Sequence, residues 1–220
     1  MAADLVLYSY WRSSASYRAR IALNLKGLRY EMRAVHLIRD GGEQHGAAYA
    51  ALNPQELVPT LVDGERVLTQ SMAIIEYLDE THPQPPLLPA DAAGRARVRE
   101  LAQIVACEIH PLGNLRVLQR LGGQFDAGDE QKGEWMRHWI ANGFQALETM
   151  LAHSKHTGQF CHGDTPSMAD ICLVPQVYNA RRWKLPLDDY PTILRIDATC
   201  AAHAAFHAAA PEQQGDAQKA

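Results

Sequence analysis

Between residues 83 and 89 the chain reads Pro83-Gln84-Pro85-Pro86-Leu87-Leu88-Pro89, four prolines in seven residues. Each proline lacks an amide donor and has its φ fixed by the ring, so neither a helix nor a central strand can run through the stretch. An extended linker is what remains. A chain of 220 residues has room for one large domain or two small ones, and the proline run points to two. The expected division is residues 1–82, a linker over 83–90, a second domain over 91–210 and a polar tail over 211–220.

Ahead of the linker, short strand-like runs alternate with helical ones. Leu5-Val6-Leu7-Tyr8-Ser9-Tyr10 reads as a strand. Tyr17, Ile21 and Leu25 recur every four residues beside Ala22, and Gly27 stands where a helix end favours a residue tolerant of positive φ; this predicts a helix from about Ser14 to Lys26. Arg29 to Leu37, carrying Tyr30, Met32, Val35 and Leu37, reads as a second strand returned by a right-handed crossover. A short helix around His45 to Leu52 ends at Asn53-Pro54. Pro59-Thr60-Leu61-Val62, Asp63-Gly64 and Val67-Leu68 read as a hairpin. Ser71, Ile74, Ile75 and Leu78 read as a helix with the Ser71 hydroxyl in the cap position. The order β-α-β-α-β-β-α is that of an α/β thioredoxin-like domain.

Beyond the linker everything reads helical. Val98, Leu101, Ala102 and Val105 share a face, as do Met136, Ile140, Phe144, Leu147 and Leu151, so the second domain is expected to be an all-α bundle. His110-Pro111-Leu112-Gly113-Asn114 should kink the long helix that begins near Asp91. Ser167 and Asp170 form a capping box at the head of another helix. Ala198 to Ala210 reads as one alanine-rich helix, and Glu212 to Ala220 as a polar end that frays.

Composition narrows the partners. Twenty-one Lys and Arg against 25 Asp and Glu leave a formal charge of -4, which offers no broad field for a polyanion. No stretch is apolar and long enough to span a membrane, and Met1-Ala2-Ala3-Asp4 is not a leader segment; the expectation is a cytoplasmic protein with neither a nucleic acid nor a membrane as partner. Cys107, Cys161, Cys172 and Cys200 never fall in a Cys-x-x-Cys pair, so the sequence suggests no zinc or dithiol centre and favours buried, inert thiols.

Chemistry concentrates in three places. Trp11-Arg12-Ser13-Ser14-Ala15-Ser16-Tyr17-Arg18 brings Ser13, Ser14 and Ser16 to a helix N-terminus beside Arg12, where outward N–H groups suit an anion. One of the serines is alternatively an ordinary N-cap. Leu57-Val58-Pro59 opens a strand. A cis Pro59, which this fold context favours over the trans edge-strand alternative, would present the backbone of Val58 as a paired donor and acceptor for an extended peptide. Gln70-Ser71, at a helix start, reads either as a plain cap or as a carboxylate site.

The run from Leu7 to Leu23 resembles the signature of zeta-class glutathione transferases, whose central role is maleylacetoacetate isomerisation. Asp40-Gly41-Gly42, Ala51-Leu52-Asn53-Pro54, Val58-Pro59-Thr60-Leu61, the stretch from Gln70 to Leu78, Gly163-Asp164, Met168-Ala169-Asp170 and Leu173-Val174-Pro175-Gln176-Val177 extend the resemblance over nearly the whole chain. It implies the glutathione transferase fold, an N-terminal thioredoxin-like domain plus a C-terminal helical bundle, and a homodimer with glutathione as cofactor. Within that resemblance Ser13 donates to the glutathione sulfur, with Ser14 and Ser16 beside it. Val58 and Pro59 hold the cysteinyl backbone, Gln70 and Ser71 take the γ-glutamyl end, and Gln55 and His45 reach the glycyl end. His110 and Asn114 lie near bound glutathione. Ala15 departs from the pattern, which usually has cysteine there, and so removes a reactive thiol.

The implied reaction adds a thiolate to the double bond of a small dianionic enedioate-type substrate, lets the single bond rotate and eliminates to the trans product. Arg12 and Arg182 are the candidate cations for that dianion. Arg182 shares a helix face with Ile171, Pro175 and Asn179 and is expected to point inward, with a buried salt bridge to an acid as the alternative; Arg181 is expected in solvent. Maleylpyruvate is the competing substrate, and a non-catalytic binding module the competing class; the latter should have lost the serine cluster or Gln70-Ser71, and both are present.

Overall fold

Leu5, Leu7 and Ser9 turn inward while Val6 and Tyr8 stay partly exposed, so Leu5–Ser9 (β1) is a strand with one buried face. In the computed structural model, which describes residues 5–218, β1 pairs parallel with Tyr30–Ala34 (β2) and antiparallel with Thr60–Asp63 (β3). Arg66–Thr69 (β4) completes a four-stranded sheet of order β2-β1-β3-β4. Helix Ser14–Leu25 (α1) makes the crossover, Ala47–Leu52 (α2) precedes β3, and Ser71–Thr81 (α3) follows β4. This is the thioredoxin-like order anticipated from the sequence. Gly27 ends α1 at φ 65 and Gly64 turns the hairpin at φ 57, both in the left-handed region that favours glycine.

The helices α1 and α3 pack on each other, and Ile21, Leu23, Ile74, Ile75 and Leu78 have no exposed surface. Each contributes roughly 1.5–3 kcal/mol of apolar burial. Lys26 locks the ends: its ammonium meets Asp79 Oδ1 at 2.7 Å and the carbonyl of Pro85. The peptides Val58-Pro59 and Gln84-Pro85 are both cis.

The described chain forms two units, one of residues 1–86 with 202–220 and one of 87–201. The second is helical: Ala92–Gln103 (α4), Leu115–Phe125 (α5), Asp129–Ala152 (α6), Met168–Arg182 (α7) and Pro191–Ala201 (α8). Helix α7 is buried on nearly every side, as a central helix with apolar residues all round should be. Its capping box is present. Asp170 Oδ2 accepts from the N–H and hydroxyl of Ser167 at 2.8 and 2.7 Å, and Oδ1 accepts from the Cys161 N–H at 2.8 Å. Burial pushes the Asp170 carboxyl up, and these bonds pull it only partly back. At the head of α8, the Glu148 carboxylate accepts from the N–H groups of Thr192 and Ile193, both at 2.9 Å, a favourable place for negative charge.

Two expectations about the C-terminal stretch are corrected. Ala198 to Ala210 is not one helix: α8 ends at Ala201, and Ala204–Ala209 (α9) starts afresh with the His203 ring as cap. Helix α9 packs on α1 in the first unit, with Asn24 Nδ2 donating to the Ala205 carbonyl and Arg20 Nε to that of Ala209. Nor does the polar end fray through 218. Pro211 is buried, Gln214 Nε2 donates to the carbonyls of Ala208 and Ala210, and Asp216 accepts from Trp11. Helix propensity favoured one long alanine helix, but partners far away in sequence decided otherwise. Met1–Asp4 and Lys219–Ala220 lie outside the described residues. No described helix is long and apolar enough to cross a membrane.

Cys161, Cys172 and Cys200 are buried and Cys107 is exposed; all four are free. Burial pushes the Cys161 and Cys200 thiols up, so neither offers a thiolate near neutral pH. In the native protein, Cys161, Cys172 and Cys200 should resist a charged thiol reagent and react after denaturation; prompt native labelling of any of them contradicts this packing. Replacing Asp170 by Ala orphans three donors and should cost about 3 kcal/mol, a fall of roughly 6–12 °C in Tm. An unchanged thermal midpoint would show that the box does not hold α7.

Candidate active site

The sheet register gathers the chemistry at one end of the first unit. Tyr8, near the end of β1, pairs with Thr60 at the start of β3, which pairs with Thr69 at the end of β4; Ser9 lies beside Ala34 at the end of β2. The loop after β1, the cis peptide before β3, the residue after β4 and the segment after β2 therefore share that end.

Ser13 is the N-cap of α1, and its Oγ accepts from the Ser16 N–H at 3.2 Å. Accepting leaves the serine's own O–H free to donate outward. Ser14 opens the helix and is partly exposed. The N–H groups of this first turn have no partners within the helix. Ser16 corrects the expectation of three outward hydroxyls: it has no exposed surface, because the helical turn carries it to the inner side. Arg12 is partly exposed and stacks 5.1 Å over the Trp11 ring.

The loop before β3 is tightly held. Tyr49 Oη donates to the Leu57 carbonyl at 2.6 Å and meets Thr60 Oγ1 at 2.9 Å, while Asn53 Nδ2 also donates to Leu57. Val58 itself is spared: neither its N–H nor its carbonyl bonds to a described residue. An unpaired peptide beside a structured loop is a ready donor and acceptor for a strand-like ligand.

Gln70, not Ser71, occupies the N-cap position of α3, with φ 67 and no side-chain cap bond. Its Nε2 donates to Gln55 Oε1 at 2.6 Å, and both amides are exposed. Ser71 is buried and its Oγ accepts from Arg18 Nη1 at 3.2 Å, so the sequence expectation of a cap hydroxyl is replaced by an inward contact with a buried guanidinium. His45 is exposed and is engaged with the carboxylate of Glu56 and the amide of Gln44.

Within the helical unit, α4 runs into a π-helical stretch, Ile104–Ile109, and then stops. Pro111 ends the helix rather than kinking it. His110 closes the π stretch, and Asn114 is the N-cap of α5, its Oδ1 accepting from the Arg116 N–H at 3.2 Å. Arg182 is exposed rather than inward, with its guanidinium 5.1 Å from the Trp183 ring and 3.4 Å from Asn179 Oδ1. It stands in the last residue of α7, past the packed part of the bundle. Arg181 makes the bond to a buried acid, Asp197, at 2.7 Å.

Sequence reasoning missed Arg18, Arg20 and Asp216. Arg20 has no exposed surface and donates to Ser9 Oγ and to the carbonyls of Tyr10, Trp11 and Ala209. All three look like ordinary surface charges in the chain, and only their distant partners reveal otherwise. No three described His, Cys, Asp or Glu residues are grouped to hold a metal ion.

Two family models match the chain: glutathione S-transferase, N-terminal domain, over residues 7–86, and glutathione S-transferase, C-terminal domain, over residues 133–206. A probable maleylacetoacetate isomerase of Vibrio cholerae is 56% identical across 97% of this chain and 99% of its own. A solved holo structure of a maleylpyruvate isomerase, described as a bacterial zeta-class glutathione S-transferase, superposes with a TM-score of 0.95 at 51% identity, covering 97% of this chain and 100% of that one. The maleylacetoacetate isomerase of Anaeromyxobacter dehalogenans 2CP-1, solved with dicarboxyethyl glutathione and citrate in its active site, is 49% identical with a TM-score of 0.87, covering 99% of both chains. With both domains matched and half of all residues identical over almost the whole length, the chain belongs to the glutathione S-transferases, in their zeta class.

Proposed function

We propose that this protein is a glutathione-dependent isomerase that converts maleylacetoacetate to fumarylacetoacetate in tyrosine and phenylalanine breakdown. The observation that carries the reading is the near full-length identity to isomerases of that name, one of them holding dicarboxyethyl glutathione. That ligand is glutathione with a four-carbon dicarboxylate on its sulfur, the type of bond that thiol addition to an enedioate forms.

The residues present suit glutathione, an extended tripeptide with a thiol in its middle and a carboxylate at each end. The unpaired peptide of Val58, ahead of Pro59, matches its cysteinyl backbone. Gln70 and the N-terminus of α3 near Ser71 match its γ-glutamyl end, with Gln55, bonded to Gln70, and His45 toward the glycyl end. When bound, glutathione supplies a thiolate that adds to the cis double bond, so that the bond turns as a single bond before elimination restores it as trans. Ser13 donates its O–H at the sulfur, and the first turn of α1 adds its N–H groups. Moving a thiol from about pKa 8.5 to about 6.5 takes roughly 2.7 kcal/mol, and a hydroxyl bond plus a helix N-terminus at about 1–2 kcal/mol each is of that size. Arg12 steadies negative charge developing on the substrate. In the helical unit Arg182 is the candidate cation for the dianion, and the family pattern assigns His110 and Asn114 to the bound cofactor.

Maleylpyruvate is the second reading, favoured by the TM-score of 0.95 to an isomerase of that substrate; the two substrates differ only beyond the reacting bond. A homodimer and a cytoplasmic location complete the proposal, the latter in keeping with four free cysteines.

Purified protein should isomerise maleylacetoacetate faster than maleylpyruvate, and only with glutathione present. The reverse preference would favour the second reading, and turnover of neither would end both. Replacing Ser13 by Ala should lower kcat at least about tenfold with glutathione affinity little changed. An unchanged rate would move the donor to Ser14, since Ser16 faces inward.

A further inference from the structure

The loop that presents Ser13 is gripped at both backbone polar atoms of a single residue. Trp11 donates its N–H to Asp216 Oδ2 at 3.0 Å, and its carbonyl accepts from Arg20 Nη2 at 2.9 Å. Arg20 is fixed by the fold itself, through Ser9, Tyr10 and Ala209. Asp216 arrives from the other end of the chain, 205 residues away. It rides on a short tail that Gln214 anchors to the carbonyls of Ala208 and Ala210. The next residue, Ala217, packs on the cluster of Tyr10, Trp11, Val35, Tyr49 and Val58, and Gln218 meets the His36 ring. The tail therefore lies on the loops that surround the thiol site.

The chemistry of Asp216 is lopsided. Its Oδ1 is buried and bonds to no described residue, a costly state for a carboxylate oxygen. Its bond to Trp11 is the only one it makes among the described residues. Two residues on from that bond stands Ser13, whose hydroxyl must point at one place to act on a sulfur.

We propose that Asp216 is a positioning residue for the thiol site: by accepting the Trp11 N–H it fixes the loop against Arg20 and so sets where the Ser13 hydroxyl stands. The inference rests on Ser13 as the donor to the glutathione sulfur. The C-terminal tail is then a working part of the active site.

The test uses the full chain and its Asp216→Ala and Asp216→Asn variants. It reads the thiol pKa of bound glutathione from thiolate absorbance, together with kcat and KM for isomerisation. A wild-type thiol pKa below that of free glutathione supports the underlying reading; a wild-type value at the free-thiol level defeats that reading before the variants are compared. Given the lowered wild-type value, Asp216→Ala should raise the thiol pKa by about half a unit or more and lower kcat about tenfold, with KM for glutathione changed less than about twofold. Asp216→Asn, which keeps the acceptor, should recover most of both. The proposal is overturned if Asp216→Ala lowers only the thermal midpoint, if the change falls wholly on KM, or if Asp216→Asn is as impaired as Asp216→Ala.

Discussion

A guanidinium with no exposed surface holds the first unit together. Arg20, on α1, donates to the Ser9 hydroxyl and to the carbonyls of Tyr10, Trp11 and Ala209. A buried cation is tolerable only when its N–H groups are satisfied, so the end of β1, the loop before α1 and the short helix α9 must all adopt the places that satisfy it. That one constraint shapes the loop from which Ser13 projects and explains why chain from the C-terminal end returns to the sheet. Lys26 plays a smaller version of the same part between α1, α3 and the proline segment.

The elements were legible where local rules govern. Alternation in Leu5–Ser9, the four-residue recurrence of Tyr17, Ile21 and Leu25 and the Ser167–Asp170 box each act within a few residues, and the strand, the helix and the cap are where they predict. The geometry of the candidate site was legible in part: Ser13 and Gln70 stand at helix starts, and Val58-Pro59 is cis with an unbonded Val58 peptide. What escaped was set by partners remote in sequence. Arg18 and Arg20 look solvated in Tyr17-Arg18-Ala19-Arg20, yet their partners lie at Ser71 and Ala209. Arg182 stands exposed because α7 ends at that point, and Arg181, exposed as expected, also pairs with the buried Asp197. Asp216 was hidden inside a polar tail whose composition alone suggests disorder.

A division of labour follows from these contacts. The described cysteines are free, three of them buried, and Ala15 stands where the resemblance leads us to expect a cysteine. In the proposed reaction the chain supplies a hydroxyl, a helix N-terminus and a spare peptide to stabilise and orient a thiolate without contributing one, and the nucleophile comes with glutathione.

The sharpest measurement of that claim is the isomerisation rate with S-methylglutathione in place of glutathione, since the methylated cofactor keeps both carboxylates and the peptide backbone but has no thiol. The account predicts that it competes with glutathione and supports no turnover above the uncatalysed rate. Turnover with the methylated cofactor alone would contradict it, because the nucleophile would then have to come from the chain.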